Sequence, residues 1–166
     1  MKKAILVFTT FWDADFLIRD KQISFQYKGT THKLDLNADD NNFETQTVAL
    51  STPPVYKFKN IKTMDRIDCL CPTYKILSDY KSNEDWETFT KEYMSLLKTR
   101  KEALKEWINS LEPKIYLLCC WENTSKDANC HRKLIYDALS LSKAARKKSF
   151  PVYRDGNGDK EILKNN

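Results

Sequence analysis

Glycine is almost missing from this chain, with three residues in 166. A Walker-type phosphate loop and a dinucleotide fingerprint both need clustered glycines, because the backbone must approach the phosphates without a Cβ in the way, so both are excluded. A disulfide framework is missing too. Five cysteines form no even, regularly spaced set of the kind that staples a secreted domain. No apolar run approaches the roughly 20 residues of a membrane-spanning helix. Met1-Lys2-Lys3 ahead of "AILVF" has the outline of a secretion signal, but the run is short and Asp13 and Asp15 follow closely, so a first strand is the better reading. These absences predict a cytoplasmic protein with reduced thiols and no membrane partner. Charge of one sign does not dominate either. A net +5, from 28 basic and 23 acidic side chains, permits an anionic partner without requiring one.

What is present is material for a core. An apolar fraction of 41 % with 12 % aromatic residues is that of a folded chain rather than a disordered one, and the length suits one domain over residues 1–166. "AILVFTT" (residues 4–10) reads as a buried strand. "ISFQY" and "HKLDL" alternate around a turn containing Gly29 and predict a hairpin. Residues 36–46, rich in Asp and Asn, read as a polar loop, and "TVAL" (47–50) as a second buried strand. Pro72 is placed to open a short helix over "TYKILSDY". Trp86, Phe89, Tyr93, Leu96, Leu97, Leu104, Trp107, Ile108 and Leu111 recur at three- and four-residue steps. They predict a long amphipathic helix, capped by Ser82 or Asn83 and bent near Arg100. "KIYLLCC" is a third buried strand, and a last hairpin is expected around Asp155-Gly156-Asn157-Gly158. Strands alternating with helices predict a three-layer α/β sandwich of Rossmann-like type, with a mostly parallel sheet and an added hairpin.

In such sheets ligands bind beyond the carboxyl ends of the strands. Thr10, Ser51 and Cys120 fall at three of those predicted ends. The densest chemistry lies in "YLLCCWENTSKDANCHRKLIYDAL" (116–139), which holds three of the five cysteines and one of two histidines. Asn129 is a strong helix cap and would put Cys130, His131 and Arg132 in the first turn, where unpaired N–H groups and the helix dipole favour a thiolate or a bound anion. His131 suits acid–base work. The plainer reading makes these sulfurs small hydrophobes at a strand end, and that weighs most on Cys119. Cys69 and Cys71 could join Cys120, Cys130 or His131 around a metal, but a Cys-x-Cys pair lacks the usual zinc spacer, so no metal or cofactor is assigned. Asp13 and Asp15 follow the first strand, where carboxylates could hold a cation or a ribose or could simply face solvent. Trp12 and Trp121 flank the same rim and could stack on a base or cap the core. Lys143, Arg146, Lys147 and Lys148 make a basic helix end, an ordinary complement to the dipole that leaves nucleic-acid contact possible.

The motif "LLCCWE…CHRKLIYDAL" resembles the signature of the domain-of-unknown-function 488 family, in which an apolar strand ends Leu-Cys-x-Glu and a short loop leads to Cys-His-Arg and an amphipathic helix. Cys120 and Glu122 match the first part, and Cys130, His131 and Arg132 the second. "ALSTPP", "CLCPTYKILSDYK" and "FTKEYMSLL" are similar to the family's short subtype, and on that alignment Ser51, Pro72, Tyr80, Lys81 and Tyr93 occupy family positions. The likeness does not reach residues 1–45. It implies a Rossmann-like sandwich and no settled activity.

Residues and resemblance together lead to one expectation: an enzyme acting on a small anionic substrate, a nucleotide or a nucleic-acid end. Cys120, Glu122, Cys130 and His131 would be catalytic, and Arg132, Asn129, Ser51, Thr10, Asp13 and Trp121 would bind the substrate. The rival class is a binding protein without turnover that captures a nucleotide or a protein partner, of the kind phages and plasmids carry as accessories.

Overall fold

The computed structural model describes residues 2–37, 39–122 and 128–154. Its centre is a five-stranded, wholly parallel sheet, built from β1 (Ala4–Thr10), β4 (Phe43–Thr47), β5 (Asp65–Arg66), β6 (Ile115–Cys120) and β7 (Ser149–Tyr153) in the order β5-β4-β6-β1-β7. All six residues of β6 are buried, as a central strand covered on both faces requires. Chain connections leave β1 toward β4 and leave β6 toward β7, in opposite directions along the sheet. Right-handed crossovers therefore put α1 (Phe11–Asp20) and α5 (His131–Leu141) on opposite faces. The α/β sandwich is the expected one.

The hairpin is as expected and lies apart from the main sheet. Strands β2 (Gln22–Tyr27) and β3 (Thr30–Asp35) pair antiparallel across Lys28-Gly29. Both turn residues have positive φ, 50° and 77°, the two-residue turn whose twist matches the strands. The hairpin docks on β7 through Tyr27 and Phe25 against Phe150, with ring centroids 5.1 and 6.2 Å apart, and through Arg154, which donates to the Ser24 carbonyl at 2.6 Å.

Four boundaries differ from expectation. The second strand of the sheet covers Phe43–Thr47 rather than residues 47–50, so the last four residues of the predicted polar loop are strand. On one side Gln46 and Thr47 pair with the short edge strand β5, and on the other Glu44 pairs with Lys114, just ahead of β6. Pro72 lies ahead of α2 (Tyr74–Asn83) and not at its first position; Thr73 caps the helix, its hydroxyl accepting from the Ile76 N–H at 3.2 Å. The predicted long helix is two helices, α3 (Trp86–Thr99) and α4 (Lys101–Ser110), and α3 is capped by Asp85, because residues 82–83 already close α2. The bend falls at Arg100 for a physical reason. Its guanidinium donates to the carbonyls of Cys71 (2.5 Å) and Cys69 (3.3 Å) and so anchors the residue at which the backbone leaves helical geometry (φ −101°, ψ 18°). The hairpin expected around Asp155 lies outside the described residues. After α5 a short helix, α6 (Lys143–Lys148), leads into β7. No helix among the described residues is long and apolar enough to cross a membrane.

Candidate functional site

Parallel register brings the strand ends together. Thr10 pairs with Cys120, and Thr47 with Cys119, so β1, β4 and β6 finish on one rim. A pocket of about 360 Å³ opens there, lined by Ala49, Ser51, Lys81, Cys120, Glu122 and His131, with Trp121, Pro72 and Leu77 completing its walls.

The helix that faces this pocket begins one residue later than expected. Cys130 takes the extended cap conformation (φ −145°, ψ 138°), so His131 is the first helical residue. Asn129 is exposed, and its side-chain amide approaches the Tyr80 hydroxyl at 3.5 Å instead of capping. The N-terminal end of α5 still points its dipole at the rim.

Cys120, Cys130 and His131 are 2 %, 3 % and 5 % exposed, and their ligating atoms all lie within 4.8 Å of one another. His131 Nε2 is 2.7 Å from the Val48 carbonyl, which can only accept, so Nε2 donates there and Nδ1 is the ring nitrogen left to face the sulfur. That Nδ1 lies 4.0 Å from Cys130 Sγ. On the other side, Cys120 Sγ lies 3.5 Å from Glu122 Oε2. Tyr93 fixes the imidazole from behind, its ring edge-on at 5.3 Å, while its hydroxyl donates to the Leu70 carbonyl at 2.7 Å.

The electrostatics split the two sulfurs. Burial opposes ionisation of Cys130, but a hydrogen bond from Cys120, the Arg132 charge and His131 outweigh it and hold Cys130 below the usual thiol range. Cys120 is pushed up, first by that hydrogen bond and then by burial. Burial, followed by the negative charge at Cys130, raises the Glu122 carboxyl. Cys119 is wholly enclosed and pushed up by desolvation, as a packing residue is. Cys71 is likewise raised by burial to about 11, and its Sγ lies 3.5 Å from the carbonyls of Ala49 and Ile67, so it takes no part in the Cys120–Cys130–His131 group.

Arg132 has a different place from the one the sequence suggests. It is completely buried and lines no part of the pocket. Its Nη1 donates to the Thr9 carbonyl (3.0 Å), and its Nη2 to the Glu122 carbonyl (2.9 Å) and the Tyr153 hydroxyl (3.2 Å). It ties the ends of β1, β6 and β7 together. Thr10 and Asp13 also stand off the pocket: the Thr10 hydroxyl caps α1 by accepting the Asp13 N–H at 3.1 Å. Asp15 accepts from the backbone N–H groups of Asn60 (2.8 Å) and Ile61 (2.9 Å) and so holds a loop in place. Ser51 and Trp121 do line the pocket, and they are joined, the indole N–H donating to the Ser51 carbonyl at 2.6 Å. Trp12 packs against Trp121 at 5.6 Å, and the two stay 47 % and 40 % exposed, a wide aromatic surface at the pocket mouth.

Lys81 is the cation that sequence reasoning did not count as a site residue. Its signal was its spacing from Leu77, which puts both on one face of α2. Tyr93 was likewise a motif position without a role. Changing Tyr93 to Phe is expected to lower stability by about 1–3 kcal/mol in a urea titration, because the buried Leu70 carbonyl loses its donor. An unchanged midpoint would mean that water replaces the hydroxyl.

The family model described as "Domain of unknown function DUF488" matches residues 54–139, just over half of the chain. No curated protein and no solved structure matches the chain. The matched segment runs from ahead of β5 through α2 and β6 into α5 and carries Lys81, Tyr93, Cys120, Glu122, Cys130, His131 and Arg132, whereas β1, β4 and Ser51 precede it. The chain belongs to the DUF488 family.

Proposed function

We propose that this protein is an enzyme acting on a small anionic substrate, a nucleotide by preference, bound at the carboxyl rim of the sheet. One observation carries the reading. Cys120, Glu122 and His131, from two separate segments, open onto the same pocket as Lys81 and Ser51 from two others. Apolar packing does not need a carboxyl, an imidazole, a thiol and an ammonium at one cavity, whereas group transfer or hydrolysis does. In this reading Lys81 holds the anionic group, and the exposed Trp121 face, backed by Trp12, takes a ring by stacking. Glu122 is the acid–base group, and His131 with the two sulfurs forms the reacting end. Arg132 acts indirectly, as a positioning residue that fixes the Glu122 backbone.

The test begins with thermal-shift screening of nucleoside mono-, di- and triphosphates and inorganic phosphate against the full chain. A ligand that raises the midpoint is then titrated against Lys81→Ala. The expected loss of affinity is about tenfold or more, with a shallower salt dependence than the wild type. Equal affinity in wild type and variant would remove Lys81 and with it the anion pocket. A wild type that binds the ligand and never converts it is a binding protein, which would sink the enzymatic reading.

A further inference from the structure

We propose that Cys120, Cys130 and His131 form a zinc site whose fourth position faces the pocket beside Glu122. The three ligating atoms already lie within 4.8 Å of one another, and Cys130 Sγ to His131 Nδ1 is 4.0 Å. With Zn–S near ~2.3 Å and Zn–N near ~2.0 Å, tetrahedral ligands stand a little under ~4 Å apart, so side-chain adjustments of about an ångström close the set. Two sulfurs and one imidazole are the soft donor set that suits zinc and not magnesium or calcium.

The imidazole is prepared for this role. Its Nε2–H is taken up by the Val48 carbonyl at 2.7 Å, so Nδ1 is the nitrogen left to coordinate, and Nδ1 is the one that faces the sulfur. A carbonyl that accepts the distal N–H is how proteins orient a ligating histidine and fix its tautomer. The Tyr93 ring locks the remaining face. Neighbouring positions 130 and 131 can converge because Cys130 is extended while His131 starts the helix. The third ligand comes from the end of β6.

On binding, Cys120 gives up its thiol proton to solvent, its S–Zn bond replacing the S–H bond, Cys130 coordinates through its thiolate, and the two thiolates balance the ion's charge. Arg132, close enough to act on both sulfurs, supports the anionic ligands. Glu122 Oε2 lies 3.5 Å from Cys120 Sγ and lines the pocket, so the ion would be enclosed by three protein ligands and reached from the fourth side. Closed structural sites use four protein ligands, whereas catalytic sites use three and leave one position to water. Glu122 would then serve a bound water, and the sulfurs would be ligands instead of nucleophiles. That catalytic role rests on the function proposed above; the binding of the ion does not.

Cobalt(II) tests the site directly. The full-length protein, reduced and stripped with a chelator, is titrated with cobalt and then with zinc. One equivalent should produce a thiolate-to-cobalt charge-transfer band and the strong visible bands of a tetrahedral ion, and one equivalent of zinc should abolish them. Zinc should also raise the thermal midpoint of the wild type. Cys130→Ser and His131→Ala should weaken zinc binding roughly 100-fold or more, while Cys69→Ser should bind as the wild type does. The wild-type spectrum decides the matter if a buried-site variant fails to fold. A wild type without the charge-transfer band, or one whose band survives in a Cys120→Ser/Cys130→Ser double variant, overturns the site. The two readings fail separately. Lys81-dependent nucleotide binding by a protein that takes up no metal would remove the zinc and leave the pocket. Stoichiometric zinc in a protein that binds no anion would do the reverse.

Discussion

Arg132→Ala is expected to destabilise the fold by on the order of 4 kcal/mol, enough to leave much of the protein unfolded or insoluble at growth temperature. The guanidinium is wholly buried, and it donates to the carbonyls of Thr9 and Glu122 and to the Tyr153 hydroxyl. Each of these is a charge-assisted bond across otherwise separate strand ends, and alanine would leave buried acceptors without donors and a cavity where the side chain lay. Arg132→Lys keeps the charge but not the planar fork, and one ammonium cannot reach acceptors set around a guanidinium, so about half the loss should remain. Urea denaturation of both variants checks this. The experiment also separates two roles for this motif arginine. If Arg132 bound a ligand directly, the alanine variant would keep its midpoint and lose only affinity. A wild-type midpoint in Arg132→Ala would return the residue to the pocket.

Glu122→Gln is expected to reduce turnover of the substrate found by ligand screening by 10²- to 10⁴-fold, the usual contribution of a positioned acid–base group. Glutamine preserves the shape and the contact with Cys120 but can neither take nor give the proton. Ligand affinity should change little, since Lys81, Ser51 and Trp121 hold the substrate in the proposed reading. Stability should change little as well, because the structural anchor at this position is the backbone carbonyl bound by Arg132, which the substitution keeps. A kcat within about twofold of wild type would place the acid–base group elsewhere. An effect confined to KM would make Glu122 a binding residue.

Much of this architecture was legible in the chain. The apolar runs that became β1 and β6 were visible because strands covered on both faces need no alternation, and the turn at Lys28-Gly29 because a two-residue hairpin loop demands positive φ. Strand β4 was hidden. Phe43-Glu44-Thr45-Gln46-Thr47 has no apolar run and is a strand because β6 offers it a ladder; its neighbours decide, not its composition. The cap of α5 moved from Asn129 to Cys130 for a comparable reason. Propensity favours asparagine, but the backbone at residue 130 takes the extended conformation that closes the sulfur–imidazole group.

By itself, the sequence determined the alternation of strands and helices, and it concentrated thiols, imidazole and carboxyl between residues 116 and 139. Local periodicity and residue chemistry suffice for that. Only the tertiary structure decided which of these groups meet. Cys120 and Cys130 face each other because a strand end and a helix start share one rim, and Lys81 joins them from a helix far away in the chain. Arg132 went inward because the carbonyls at two strand ends needed a donor more than water needed a charge. Side-chain burial of that kind depends on contacts distant in sequence, and no local pattern encodes it.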